Sequence, residues 1–105
     1  MAAYAIVDVT VHDIAEFLTY QRKLAPLLNA VGARYLARGG EFRVYEGDYQ
    51  PGRLLVVEFP SLEIMDAFFS GSPYLSLQGE RDACSTCRIL AVQGLDAALT
   101  RQAPH

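Results

Sequence analysis

The hydrophobic period of the first 31 residues changes once, and this change constrains the fold more than any other feature. In AYAIVDVTV, which starts at Ala3, apolar and mixed positions alternate with the two-residue period of a β-strand. From Ile14 to Val31 the apolar residues recur at steps of three and four, as in an amphipathic helix. Asp13 and Glu16 have the spacing of a helix N-cap and its partner. The sequence therefore predicts a strand followed by a helix.

Pro26 interrupts the predicted helix. Proline lacks a backbone N–H and crowds the preceding turn, so we expect the helix to bend or stop near Ala25 and then resume. Gly32 is a natural terminator.

The segment RYLARGGEFRVYEGD, Arg34 to Asp48, predicts a β-hairpin. Gly39 and Gly40 would form its two-residue turn, which requires positive φ. This register places Arg38 opposite Glu41, Leu36 opposite Arg43 and Arg34 opposite Tyr45. The other face, carrying Tyr35, Ala37, Phe42 and Val44, is expected to join the core.

Three further elements complete the fold. RLLVVEF, from Arg53 to Phe59, is apolar on both faces and predicts a central strand. Ser61 can cap a second helix, a short helix is expected from Pro73 to about Arg81, and residues 87–92 predict the last strand. The order predicts an α+β, ferredoxin-like split βαβ sandwich with an antiparallel sheet and an inserted hairpin. We expect one domain over residues 1–94 and a partly mobile tail over residues 95–105.

Composition limits the classes of partner. Hydrophobic residues make up 51% of the 105 residues, and one face of the predicted sheet would carry apolar side chains that no helix covers, so we expect a homodimer. A net charge of -3 without a basic cluster argues against nucleic-acid binding. Neither a signal peptide nor a long apolar run is evident, so we expect no membrane association and a cytoplasmic location.

Several short motifs resemble one known family. They include Arg34-Tyr35-Leu36, Arg38-Gly39-Gly40, Glu46-Gly47-Asp48, Pro51, Arg53, Glu58-Phe59-Pro60-Ser61, Ala67, Ser72, Tyr74 and Arg81. In spacing and extent this pattern resembles domain of unknown function 1330. The resemblance implies a dimeric α+β barrel in which two ferredoxin-like sheets meet. The wider group includes cofactor-free oxygenases, haem-degrading enzymes and isomerases, so the resemblance implies a fold and not a reaction.

Arg38, beside Gly39 and Gly40, is the first candidate ligand-binding residue. A guanidinium offers a planar fork for a carboxylate, and glycines permit close approach. A cross-strand pair with Glu41 is the structural alternative.

Four more residues are candidates for a cleft between helix and sheet. Tyr20 could place its hydroxyl there, and Glu58 lies in an otherwise apolar strand, so both are catalytic candidates. Tyr74 and Arg81 could line the same cleft as ligand-binding residues. Core packing for Tyr20 and ion pairs for Glu58 and Arg81 are the structural alternatives.

Cys84 and Cys87 form a C-x-x-C that enters a strand instead of starting a helix, which argues against a redox pair. The only histidines are His12 and His105, so a zinc site is not expected, and we predict no metal and no cofactor. Two hypotheses follow. The chain binds, or transforms without a cofactor, a small and partly apolar carboxylate, or it is a non-catalytic homodimeric structural or interaction module.

Overall fold

The computed structural model describes residues 1–95. The elements are β1 (Ala3–Val11), α1 (Ile14–Ala30), β2 (Arg34–Arg38), β3 (Arg53–Phe59), α2 (Leu62–Ser70), α3 (Ser72–Leu75), α4 (Gln78–Cys84) and β4 (Ser85–Gln93). The tail expected at residues 95–105 lies, apart from Leu95, outside the described residues.

The four strands form one antiparallel sheet in the order β2-β3-β1-β4. This is the ferredoxin-like arrangement that the element order predicts, and β3 is central as expected. One face of the sheet, called here the inner face, packs against the helices and carries Ala5, Val9, Leu55, Val57 and Phe59. The opposite face, called the outer face, carries Tyr4, Ile6, Leu54, Val56, Leu90 and Val92. No helix of residues 1–95 covers the outer face, and Leu90 and Val92 are more than half exposed.

Both predicted helix caps are present. The Asp13 side chain accepts a hydrogen bond from the Glu16 amide at 3.1 Å, and the Ser61 hydroxyl accepts one from the Ile64 amide at 3.1 Å. The expected stop near Ala25 is wrong, because α1 continues through Pro26 to Ala30. Pro26 removes one hydrogen bond, but the apolar residues on either side of it pack against the core, and this packing holds the helix together.

The predicted hairpin is wrong in its second half. Residues 39–52, called here the arm, contain no strand, and β2 pairs with β3 instead of with EFRVYEG. The Gly39 amide donates to the Leu54 carbonyl at 2.8 Å, so the chain is still bonded to β3 where the turn was expected. Phe42 and Val44, expected in the core, are 40% and 47% exposed.

A β-bulge in β2 also changes which residues share a face. Tyr35 pairs with Val57, but the next pair is Ala37 with Val56, so Leu36 is the extra residue. Strict alternation would have put Arg38 on the same face as Arg34. After the bulge, Arg38 pairs with Leu55 and lies on the inner side with Tyr35.

The core is richest in aromatic rings between the sheet and α2. Phe59, Phe68, Phe69 and Tyr74 pack in tilted and edge-to-face pairs with centroids 4.9 to 5.7 Å apart. None of the helices within residues 1–95 has the length and apolar character needed to cross a membrane.

Candidate functional site

A cavity of about 50 Å³ lies between the inner face of the sheet and the helices. Its wall is mainly aliphatic and aromatic, from residues that include Ala5, Val7, Val9, Phe17, Leu24, Leu28, Leu55, Val57, Phe59, Phe68, Phe69 and Ile89. This space holds more than one water molecule but is far below the ~300–1,000 Å³ of pockets for drug-sized ligands. The cavity by itself fits a small apolar group.

The polar side chains of the cavity come from five different elements, and Tyr35 of β2 is one of these side chains. Tyr20 lies one turn after Phe17 on the buried stripe of α1, Tyr74 belongs to α3, and Arg81 belongs to α4. Cys87 follows on the inner side of β4. A contact of the Lys23 ammonium with the Glu80 carboxylate, at 3.0 Å and 3.1 Å, joins α1 to α4 and helps to fix this arrangement.

Arg81 is held by two neighbours. Its Nη1 donates a hydrogen bond to the Tyr74 hydroxyl oxygen at 2.5 Å, and its Nε donates to a carboxylate oxygen of Asp82 at 3.1 Å. The Arg81 side chain is 11% exposed, whereas the Asp82 side chain is 62% exposed. Its Nη2 makes no hydrogen bond within residues 1–95, so a guanidinium with a free donor lies in the cavity wall.

The tyrosines of the cavity are hydrogen-bond donors at neutral pH. Burial raises the pKa of Tyr20 well above its ordinary value. Burial also raises the pKa of Tyr74, although the charge of Arg81 and its hydrogen bond act against the shift. The Tyr20 hydroxyl has no hydrogen-bond partner within the described residues, and Tyr20 as a whole is only 5% exposed. Its proton is therefore available to an acceptor in the cavity.

Cys87 supplies a thiol to the same wall. Burial raises its pKa, and the nearby Arg81 charge offsets only part of that effect. Both cysteines are free, as predicted, and Cys84 is buried while Cys87 is partly accessible. The thiol form of Cys87 is therefore favoured at neutral pH.

The cavity borders a shallower groove of about 390 Å³, called here the mouth groove. Phe69, Tyr74, Arg81, Cys87 and Ile89 line both spaces. The remaining residues of the mouth groove are Met65, Asp66, Gln78, Leu90 and Ala91. A ligand larger than the cavity would extend into this groove.

Arg38 lies outside the cavity. Its guanidinium carbon is 5.0 Å from the centroid of the Tyr35 ring, within a separate groove between α1 and β2. Gly39 has a φ of +72°, and a Cβ at that position would collide with the Arg53 side chain. Gly39 therefore makes room for Arg53, whereas nothing lies within 4 Å of a Cβ built on Gly40.

Glu58 lies on the outer face, on the far side of the sheet from the cavity. Its carboxylate accepts a hydrogen bond from Arg34 Nε at 2.8 Å, which matches the ion-pair alternative. Of the predicted site residues, the fold thus brings together Tyr20, Tyr74 and Arg81. Arg38, Gly39, Gly40 and Glu58 lie elsewhere.

Sequence reasoning missed two members of the cavity wall. Gln21 follows Tyr20 on α1, and Cys87 was interpreted as a thiol without a role. The two-residue period of Cys87, Ile89 and Ala91 places the thiol on one side of β4 and was the available signal. Within residues 1–95, no group of three or more histidine, cysteine, aspartate or glutamate side chains is placed to hold a metal ion.

Solved structures share this fold at low sequence identity. A protein of unknown function, RPA0582 from Rhodopseudomonas palustris, is 15% identical with a TM-score of 0.73, and the match covers 90% of this chain and 83% of that one. A dimeric ferredoxin-like protein of unknown function from Jannaschia sp. CCS1 is 12% identical with a TM-score of 0.65, covering 90% and 100%. SnoaB from Streptomyces nogalater, a cofactor-independent oxygenase, is 14% identical with a TM-score of 0.61, covering 91% and 95%.

No curated protein matches the chain. The family model for a domain of unknown function, DUF1330, matches residues 2–95, which is nearly the whole described chain. The match agrees with the motifs in the sequence and with the ferredoxin-like sheet. The chain is therefore a member of the DUF1330 family.

Proposed function

We propose that this protein binds a small, partly apolar carboxylate in the cavity between the sheet and the helices. The single observation that carries the proposal is the donor set at the cavity wall. Tyr20, Tyr74 and Arg81 offer O–H and N–H groups, and none of the residues that line the cavity is a carboxylate. An acceptor-rich, negatively charged group on an apolar body complements this wall.

Arg81 takes the role that the sequence assigned to Arg38. Its Nη2 makes no hydrogen bond to residues 1–95, and its Nη1 donates to the Tyr74 hydroxyl. The apolar part of the ligand occupies the cavity, and a larger ligand extends along the mouth groove. Arg38 is separated from this site by the Tyr35 ring.

Binding without turnover is favoured by the groups at hand. Proton abstraction needs a base, and the raised pKa values of Tyr20 and Tyr74 keep both hydroxyls protonated at neutral pH. Glu58, the other catalytic candidate, faces away from the cavity. SnoaB provides a precedent for cofactor-independent chemistry on this fold. Transformation of the ligand is therefore the second step to test, after binding.

Differential scanning fluorimetry with matched acids and amides tests the binding proposal. The probes are benzoate and hexanoate, with benzamide and hexanamide as neutral counterparts, and the proteins are the wild type, Arg81→Met and Arg38→Met. A ligand at 100 times its Kd adds about 2.7 kcal/mol, or roughly 10 °C in Tm. We expect the acids to raise Tm more than the amides do, and Arg81→Met, but not Arg38→Met, to abolish the difference. Equal shifts for acid and amide, or no shift with any probe, would contradict the proposal.

We also propose that two copies associate through the outer face. Tyr4, Ile6, Leu54 and Val56 are only partly buried there, and Leu90 and Val92 are exposed. Solved neighbours from Jannaschia sp. CCS1 and Bacteroides fragilis are dimeric and share the fold. This surface is the observation behind the alternative function, a homodimeric module without a ligand.

Light scattering after gel filtration tests the dimer. We expect two chains per particle for the wild type and one for Leu90→Asp. Ile14→Asp is the matched control, because Ile14 is 55% exposed at the first turn of α1, where a negative charge is tolerated. A monomeric wild type, or a dimeric Leu90→Asp protein, would argue against this interface. A dimer that binds none of the four probes would favour the module.

A further inference from the structure

The arm has the residue pattern of a β-strand but no strand to pair with. Glu41 and Arg43 form an ion pair at 3.2 Å, and Glu41, Arg43 and Tyr45 line one shallow groove. In a β-strand, residues two apart share a side. Phe42 and Val44 alternate with these residues. The alternation that predicted a strand is thus present in the fold, without a hydrogen-bonded neighbour within residues 1–95.

The apolar side chains of the arm are unusually exposed. Phe42 is 40%, Val44 47% and Tyr45 86% exposed. The returning end of the arm is fixed, because the Asp8 carboxylate accepts hydrogen bonds from the Tyr49 hydroxyl and from the Gly52 amide. Asp8 belongs to the outer side of β1, opposite Arg88 of β4. The arm therefore leaves the domain next to the surface through which we propose that two copies associate.

One sheet edge is available for such a segment. β4 pairs with β1 over its whole length of nine residues, and its other edge has no partner among the described strands. Ile89, Leu90 and Val92 are all exposed along it. A long, apolar and unpaired edge is a template for strand addition.

The opposite edge of the sheet is protected. β2 has only five residues, it carries Arg34 and Arg38, and it contains the bulge at Leu36. Short length, positive charge and a bulge are the devices by which sheet edges avoid pairing. This contrast favours β4 over β2 as the acceptor.

We propose that the arm of one copy adds as a strand to the free edge of β4 in a second copy. This inference rests on the proposed homodimer and specifies how its two chains engage. A two-fold axis makes the exchange reciprocal, so both arms and both β4 edges are satisfied. Leu90 and Ala91 of β4 line the mouth groove, so the arm of the partner subunit completes the wall of the ligand site.

Hydrogen exchange measured by mass spectrometry on the full chain tests this pairing. The proteins are the wild type, Val44→Pro and Tyr45→Pro, with Val44→Thr as the control that keeps the backbone N–H. Successive N–H groups of a strand point to opposite edges, so one of the two prolines removes a donor that faces β4. The arm contains no helix or strand of its own chain, so these variants retain the fold, which circular dichroism checks.

In the wild type we expect two chains per particle and slow exchange in both 41–46 and 85–93. At least one proline variant should lose the slow exchange of 41–46 and, within 85–93, that of the amides that face away from β1, whereas Val44→Thr should retain both. A dimer whose arm exchanges rapidly would overturn the pairing and leave the dimer standing. A monomeric wild type would overturn both the pairing and the dimer. Slow exchange of the arm in such a monomer would show that the arm pairs within its own chain. If neither proline variant changes the exchange of these segments, the inference is also overturned.

Discussion

The guanidinium of Arg81 donates a hydrogen bond to the hydroxyl of Tyr74 at 2.5 Å, and both side chains border the cavity. The two residues are seven positions apart in sequence and lie on two short helices. The guanidinium carbon of Arg81 also lies 5.9 Å from the centroid of the Tyr74 ring. Burial opposes the charge of Arg81, yet Tyr74 and Asp82 together raise its pKa above the ordinary value. A guanidinium is charged at neutral pH, so Arg81 places a cation at the wall of an apolar space.

Removal of the Tyr74 hydroxyl should destabilise the protein. Tyr74→Phe keeps the ring in its aromatic cluster but leaves the poorly exposed Arg81 with one hydrogen bond fewer. We expect a loss of about 1 kcal/mol, or roughly 4–8 °C in Tm. Thermal unfolding measures it, with Tyr45→Phe as the control, since Tyr45 is 86% exposed. Equal Tm values for the two variants would show that the hydrogen bond contributes nothing.

The two adjacent glycines should respond differently to alanine. Gly39 has positive φ, and its Cβ would strike the Arg53 side chain, whose Nε is already buried without a hydrogen-bond partner. We expect Gly39→Ala to cost about 1–2 kcal/mol or more in urea unfolding. Gly40→Ala should change stability little, because open space surrounds that position. A larger loss for Gly40→Ala would contradict the assignment of the strained position.

The two thiols should differ in alkylation. Cys84 is 1% exposed and should react with iodoacetamide only when the chain unfolds. Cys87 should react in the folded protein, but more slowly than a free cysteine at pH 8, because burial raises its pKa and lowers the thiolate fraction. Mass spectrometry of Cys84→Ser and Cys87→Ser proteins assigns each rate. Rapid modification of Cys84 in the folded state would contradict its burial.

The Asp8 carboxyl should titrate at lower pH than an ordinary aspartate. The hydrogen bond from Tyr49 lowers its pKa, burial acts in the opposite direction, and the hydrogen bond from the Gly52 amide adds to the lowering. A lowered folded-state pKa favours folding above the unfolded value, and this contribution is lost as pH falls through the folded-state value. NMR titration of the carboxyl measures the midpoint. In Tyr49→Phe it should rise towards 3.8, and an unchanged midpoint would show that Tyr49 has no part in the shift.

Local sequence patterns determined most of the elements. The period of β1, the caps Asp13 and Ser61, and the doubly apolar β3 each depend on neighbours within a few residues, and all are present. The motifs that resemble DUF1330 also lie in contiguous stretches, so the family and the ferredoxin-like order followed from the chain itself. Exposure of the outer face follows from the same alternation.

Only the tertiary structure decided which residues form the site and whether the arm pairs as a strand. The alternating sequence pattern does not reveal the bulge at Leu36. The bulge nevertheless places Arg38 on the inner side of the sheet, over the Tyr35 ring. Arg81, Tyr74 and Tyr20 meet because three helices pack on one sheet. Their spacing in the sequence does not tell how close the three side chains lie in the fold. The alternation of residues 41–45 predicted a hairpin strand, and the structure has no strand there. A segment pairs as a strand only where a free sheet edge is available, and that edge can be distant in sequence. β3 pairs with β2 and β1, so neither of its edges is free for the arm.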